Sequence, residues 1–295
     1  MPSAHLLKTT SPPVPAERPK DEELDLFGLT HPGLVRTENQ DHFLLCTLHQ
    51  QLVIHGTSLP GHDDLPLRGE RLGTIMLVAD GVGGSAAGGE ASQLATESIT
   101  SYVSSTMRCV HATEAKEEKA FFAALKAAVL EAHQAVRQEA GRETKRMATT
   151  LTLGIAVWPR MYIVQVGDSR CYYYYDGKLS QVTRDQTVAQ YLVDAGVMPQ
   201  EQAAKSPFSN VLASSIGGEE AKPEVALLDI TPRGCVILLC SDGLNKHVSD
   251  EEIAEHLRTM QSSEQVCTTL LELALARGGS DNITILAGRA KGGDK

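Results

Sequence analysis

Behind a polar start, short apolar runs alternate along the chain with two long stretches of helical period. The runs, several of them rich in Val, Ile and Tyr, predict strands at His42–Leu48, Gln51–His55, Thr74–Ala79, Thr150–Trp158, Met161–Val166, Cys171–Tyr175, Val225–Ile230, Val236–Cys240 and Ile283–Ala287. Pro159-Arg160 joins two of them as a hairpin. Asp176-Gly177, between Tyr172–Tyr175 and Leu179–Val182, is a stronger hairpin signal. Long helices are predicted over Ala86–Thr106 and Ala115–Ala140. In the second, Phe122, Leu125, Val129, Ala132 and Val136 recur three or four apart and share one face. Two further helices fit Asp250–Met260, entered through Ser249 with acids in its first turn, and Ser263–Ala276. Tyr191–Gly217 has little periodicity and reads as a helix plus an irregular excursion.

The two long helices follow each other with no strand between them. Strands, a helix pair, hairpin-linked strands, more helices and a last strand make an α+β order, not an alternating βα repeat. Two antiparallel sheets covered by helices, a four-layer α-β-β-α sandwich, is the simplest packing. Residues 1–24, rich in Pro, Ser and charge, read as a flexible tail; 25–289 read as the catalytic domain and 290–295 as a second tail. Thr57–Arg71 reads as an insertion between early strands.

Composition narrows the function. The 295 residues are 42% hydrophobic with a net charge of −10. Nucleic acid and anionic membrane both need basic patches, so neither is an expected partner. No apolar run approaches the roughly 20 residues that cross a bilayer, and Met1–Lys20 lacks a secretory h-region. The six cysteines include no CxxC pair and are scattered as buried thiols are, which points to a reducing, cytoplasmic setting and away from structural zinc.

One feature recurs: apolar strands end on, or begin beside, an aspartate. Thr74–Ala79 runs into Asp80-Gly81, Met161–Val166 into Gly167-Asp168, and Val236–Cys240 into Ser241-Asp242. Asp281 precedes Ile283–Ala287, and Asp41 precedes His42–Leu48. Any one of these is more readily a turn cap. Together, if the strands pack side by side, they converge at one rim, where carboxylates repel unless cations intervene. All-oxygen donors select Mg²⁺ or Mn²⁺, and a pair of such ions suits hydrolysis of phosphate esters. A rival reading takes Gly81-Val82-Gly83-Gly84-Ser85-Ala86 as a dinucleotide loop, but a helix, not a strand, follows the first helix. The glycines instead allow close backbone approach to a metal or phosphate.

At this point the chain resembles the metal-dependent protein phosphatases, the type 2C serine/threonine family, in its bacterial-like branch. The resemblance spans residues 27 to 289 through ordered motifs: Arg36-Thr-Glu-Asn-Gln-Asp41, Asp80-Gly-Val-Gly-Gly84, Ala148-Thr-Thr-Leu151, Gly167-Asp-Ser-Arg170, Thr183-Arg-Asp-Gln-Thr187, Ser241-Asp-Gly-Leu244 and Asp281-Asn-Ile-Thr284. It implies two Mn²⁺ or Mg²⁺ ions at the core, bridged by Asp80, with the Gly81 carbonyl on one and Asp242 and Asp281 on the other. Asp168 with Asp242 matches a weaker third site, and Asp41 a ligand or supporting position. Arg36 matches the arginine that binds the substrate phosphate. The implied reaction is in-line attack by a metal-bridged water on a phosphoserine or phosphothreonine of a protein, with a Ser/Thr protein kinase as the opposing enzyme. Val82, Gln40 and Gln186 depart from residues found in some members (His, Glu and His). The stretch Tyr191–Gly217 matches the family's flap, with Asp194, Gly196 and Gly217-Gly218 suiting a hinge. A catalytically weak scaffold of the same fold and a phosphatase of small metabolites are the alternatives.

Overall fold

A computed structural model describes residues 17–51, 68–83, 86–106, 115–143, 146–203 and 205–291. Its strands are β1 (Leu24–His31), β2 (Asp41–Gln51), β3 (Arg68–Val82), β4 (Ala148–Thr149), β5 (Leu151–Val157), β6 (Arg160–Val166), β7 (Arg170–Tyr175), β8 (Lys178–Gln181), β9 (Glu224–Asp229), β10 (Val236–Cys240) and β11 (Ile283–Ala290). The helices are α1 (Ala86–Thr106), α2 (Ala115–Glu143), α3 (Val188–Asp194), α4 (Gln200–Ala203), α5 (Asp242–Asn245), α6 (Asp250–Arg258) and α7 (Ser263–Ala276).

The strands form two antiparallel sheets, one in the order β1-β11-β10-β7-β8 and one in the order β2-β3-β5-β6-β9, with the short β4 on β3. Three apolar layers follow from the alternation of side chains along each strand. Leu77, Leu153, Ile155 and Val164 face α1 and α2, where they meet Ile99, Leu125 and Val129. Leu238, Ile285 and Ala287 face α6 and α7, where they meet Ile253, Leu257 and Leu270. Met76, Val78, Ile163, Ile237 and Leu239 fill the space between the sheets. The result is the expected α-β-β-α sandwich.

Several expectations shift. The segment Leu24–His31, where no strand was predicted, is a strand paired along its length with β11. Asp25 and Gly28 interrupt its apolar run. Gly28 is there because a Cβ would come within 3.0 Å of the Phe43 ring and 3.1 Å of Leu286. The tail meets the body earlier than expected: Pro19 accepts a hydrogen bond from Arg71 through its carbonyl, and Asp21 pairs with the same guanidinium. Residues 1–16 and 292–295, the segment 52–55 of a predicted strand, and residues 57–67 of the insertion lie outside the described residues. Residues 68–71 belong to β3. The excursion after Thr187 holds α3 and α4, tied back by bridges between Thr187 and Leu212 and between Thr149 and Ile216.

Candidate active site

Strand register brings the sequence-predicted aspartates to one end of the sandwich. β2 and β3 are antiparallel, and their pairing sets Asp41, at the start of one, directly opposite Asp80, near the end of the other. Like charges face each other there, an arrangement that costs a sheet stability. The Asp80 main chain is fixed in return. Its N–H bonds the Thr150 hydroxyl at 3.0 Å, and its carbonyl accepts from Thr150 N and from the Thr149 hydroxyl. Gly81 N–H donates to the Gln40 carbonyl at 3.2 Å. Only glycine fits at 81, because a Cβ would lie 2.3 Å from the Gly88 carbonyl where α1 begins.

Asp168 follows β6 through Gly167, whose φ of +101° and crowding against Thr150 both exclude a side chain. Gln186 pins that turn. Its amide oxygen accepts from Gly167 N–H at 3.0 Å, its own N–H donates to the Gly167 carbonyl at 2.9 Å, and its amide nitrogen reaches the Lys222 carbonyl. Asp242 opens α5 directly after β10, and Asp281 lies just before β11.

The electrostatics show how closely these groups converge. Burial pushes the Asp41 carboxyl up to about 6, although the Thr284 and Ser241 hydroxyls, each 2.7 Å from its Oδ2, hold it down in part. The other oxygen, Oδ1, is buried without a hydrogen-bond partner among the described residues. Burial and then the Asp242 charge raise Asp168 to about 8. Asp80 is raised well above the ordinary carboxylate range by burial and by the charges of Asp41, Asp242, Asp168 and Asp281. It is the hub of the cluster. Asp242 is raised as well, chiefly by burial.

Asp281 behaves differently. Burial pushes its carboxyl up, but Arg36 and Lys246 outweigh this and hold it below the ordinary range. Arg36 grips it with two hydrogen bonds, Nε to Oδ1 at 2.8 Å and Nη2 to Oδ2 at 3.0 Å. Lys246 Nζ lies 2.7 Å from Asp281 Oδ2 and 2.7 Å from Asp242 Oδ2.

The residues present fit a pair of hard cations. The donors are carboxylate and backbone oxygens, one carboxylate oxygen is buried and unpartnered among the described residues, and burial with the charges of its neighbours raises Asp80 well above the ordinary range. Among the described residues no three acidic, imidazole or thiol groups close on one point as a finished cage. Instead the Lys246 ammonium lies between Asp242 and Asp281.

Sequence reasoning missed the supporting residues. Ser241 and Thr284 orient Asp41. The Asn282 side chain accepts from Gln40 N–H and donates to the Pro32 and Glu38 carbonyls, which fixes the loop carrying Arg36. Each of these lies inside a quoted motif, so the motif was visible but the hydrogen bonds that explain it were not. Lys246 lies one helical turn beyond Asp242, and that i, i+4 spacing was its only signal.

The family description for protein phosphatase 2C matches residues 55–277. The chain belongs to the protein phosphatase 2C family. It is 36% identical over 214 residues to the serine/threonine protein phosphatase PstP of Mycobacterium tuberculosis, a match covering 72% of this chain and 39% of PstP. This chain therefore spans less than half the length of that curated relative. It is 31% identical over 215 residues to the serine/threonine phosphatase stp of Listeria innocua, covering 72% of this chain and 82% of that one. A crystal structure of the catalytic domain of PstP in complex with 2 manganese ions superposes with a TM-score of 0.69 at 30% identity, over 91% of this chain and 99% of that one. Arg36, Asp41 and Asp281 lie outside the span of the protein phosphatase 2C description, so their place in the cluster rests on the geometry above.

Proposed function

We propose that this chain is a metal-dependent phosphoserine/phosphothreonine protein phosphatase. The observation that carries the proposal is the hub at Asp80, a carboxyl surrounded by four others at the rim of a phosphatase fold. Asp80, Asp242 and Asp281 with the Gly81 backbone would hold two ions, with Asp168 and Asp41 beside them. Mn²⁺ or Mg²⁺ bound there supplies the positive charge that activates a water and stabilises a phosphoryl group. The manganese-bound PstP domain is consistent with that assignment.

The chain's own residues do the rest. Arg36 presents a planar fork that matches two phosphate oxygens as well as it matches Asp281. A substrate phosphate thus competes with Asp281 for the same donors. Ser241 and Thr284 keep Asp41 oriented, and Gln186 holds the turn that carries Asp168.

The surroundings favour a protein substrate. The Arg36 side chain is 55% exposed, and its neighbours Leu34 and Val35 are exposed apolar residues on the same loop, a surface that suits a peptide flanking a phosphoresidue. A Ser/Thr protein kinase would supply that substrate. Among the described residues no helix is long and apolar enough to cross a membrane.

The test is hydrolysis of p-nitrophenyl phosphate and of a phosphothreonine peptide with Mn²⁺, with Mg²⁺ and with EDTA, for wild type and Asp80→Asn. Activity on the peptide that requires metal and is lost in the variant is expected. Metal-independent activity would overturn the proposal, and a folded but inactive wild type would favour the scaffold alternative.

A further inference from the structure

Lys246 ends the short helix that Asp242 begins, and its N–H closes on the Asp242 carbonyl at 3.0 Å. The turn returns the side chain over the acid that starts it, so Nζ reaches Asp242 Oδ2 and Asp281 Oδ2, both at 2.7 Å. Asp281 Oδ2 also accepts from Arg36, so Lys246 joins the two carboxylates and Arg36 grips one of them.

We infer that Lys246 is a built-in competitor for the cation held by Asp242 and Asp281, and so sets how tightly that ion binds. The inference rests on the reading of those two aspartates as cation ligands given above. An ion coordinated by both carboxylates needs the lone pairs that now accept from the ammonium. It binds only as Lys246 withdraws, and two ion pairs are lost in the exchange. Lys246 also repels the incoming ion until it has moved away. The ion held between Asp242 and Asp281 is therefore the weaker of the core pair, and its occupancy follows the free cation concentration.

Isothermal titration calorimetry with Mn²⁺ on EDTA-stripped full chain tests this, using wild type, Lys246→Gln and Lys246→Arg. In wild type two binding events of unequal strength are expected. In Lys246→Gln the weaker event should tighten by about tenfold, the scale expected when two part-exposed ion pairs no longer compete. Lys246→Arg, which keeps the charge, should stay near wild type. Thermal unfolding gives a second readout: the Gln variant should melt lower than wild type in EDTA and be restored by Mn²⁺. Lys246→Ser replaces the Gln variant if that protein does not fold. Two events in wild type with the same affinities in Lys246→Gln would overturn the inference and leave the proposed function standing. So would unchanged Mn²⁺ affinity with a raised KM for a phosphopeptide, which would place Lys246 on the substrate instead. A wild type that binds no Mn²⁺ would overturn the cation reading of the whole site, and this inference with it.

Discussion

The two ends of the sheet sandwich treat buried charge in opposite ways. Strand β3 carries both: Arg71 near its start and Asp80 near its end, about 30 Å apart at the rise of an extended strand. At the first end the charges are answered within the chain. The Arg71 side chain is buried, with Asp21 at 2.5 Å and the Pro19 carbonyl at 2.7 Å. Arg289 bonds Asp25 at 2.9 Å, and Asp25 also accepts from Ser263 N–H at the start of α7. At the other end Asp41 retains an oxygen with no partner among the described residues, and burial, with neighbouring carboxyl charges added, raises Asp80, Asp168 and Asp242. A fold that balances its buried charges at one end can balance them at the other. Where it does not, the carboxyls are left to take up protons or cations, and that asymmetry marks the end proposed to be functional.

The sharpest way to break the comparison is Asp80→Asn. Phosphatase activity should fall by about 10³-fold or more, the scale seen when a central electrostatic element is removed. Stability in EDTA should rise, because the variant no longer places a carboxylate among four others. Opposite signs for activity and stability mark a functional site. Paired kinetics and thermal melts check this, and a variant less stable than wild type in EDTA would contradict the account of strain at the rim.

The next effect is on pH dependence. Asp41 and Asp168 have folded-state values of about 6 and about 8, above the ordinary carboxylate range near 4. Between those limits the folded state binds more protons than the unfolded one, so stability falls as pH rises. The loss begins near pH 4 and is complete above about 8. Added Mn²⁺ should therefore raise the melting temperature little at pH 5 and most at pH 8. Melting curves in EDTA and in Mn²⁺ across that range decide it, and a metal effect that is flat with pH would count against ionised carboxylates as ligands.

Arg71→Met tests the balanced end. It removes the partner of Asp21 and of the Pro19 carbonyl, so stability should fall by about 2 kcal/mol. The cost stays modest because Asp21 is 54% exposed and water can take over. Activity per folded molecule and Mn²⁺ affinity should not change. A loss of metal binding would show that the two ends are coupled.

How far this asymmetry was legible in sequence depends on the range of the interaction. Helix α1 was read to its observed bounds, Ala86–Thr106, because local period and length define it. The β7–β8 hairpin followed from Asp176-Gly177, whose φ values of +49° and +75° the dipeptide encodes by itself. The acidic rim was visible because each aspartate adjoins an apolar strand, although the face-to-face placement of Asp41 and Asp80 needed the β2–β3 register. Strand β1 was missed, since its definition comes from β11, far along the chain. The Arg36–Asp281 and Lys246–Asp281 pairs were missed for the same reason: residues 36, 246 and 281 meet only in the folded chain. The identity of the chemistry was local, and the compensation of its charge was not.

The smallest effect is expected at a helix cap that includes none of the proposed ligands, and it calibrates the others. Ser249 caps α6: its hydroxyl accepts from Glu252 N–H at 3.3 Å, and the Glu252 carboxylate accepts from Ser249 N–H at 3.1 Å. Arg277 holds the same carboxylate with two further bonds. In Ser249→Ala one helix N–H loses its acceptor, a change of about 1 kcal/mol for a capping serine. The helix remains anchored through Ile253 and Leu257, which are buried against the outer face of the β10–β11 sheet. The melting temperature should fall by roughly 2–4 °C, the scale for a domain of this size, equally in EDTA and in Mn²⁺, with kcat and metal affinity unchanged. That equality separates it from the rim, where every substitution should act differently with and without the ion. If Ser249→Ala also changed the Mn²⁺ response, metal binding would be coupled to the stability of the whole sandwich, and the contrast between its two ends would lose its meaning.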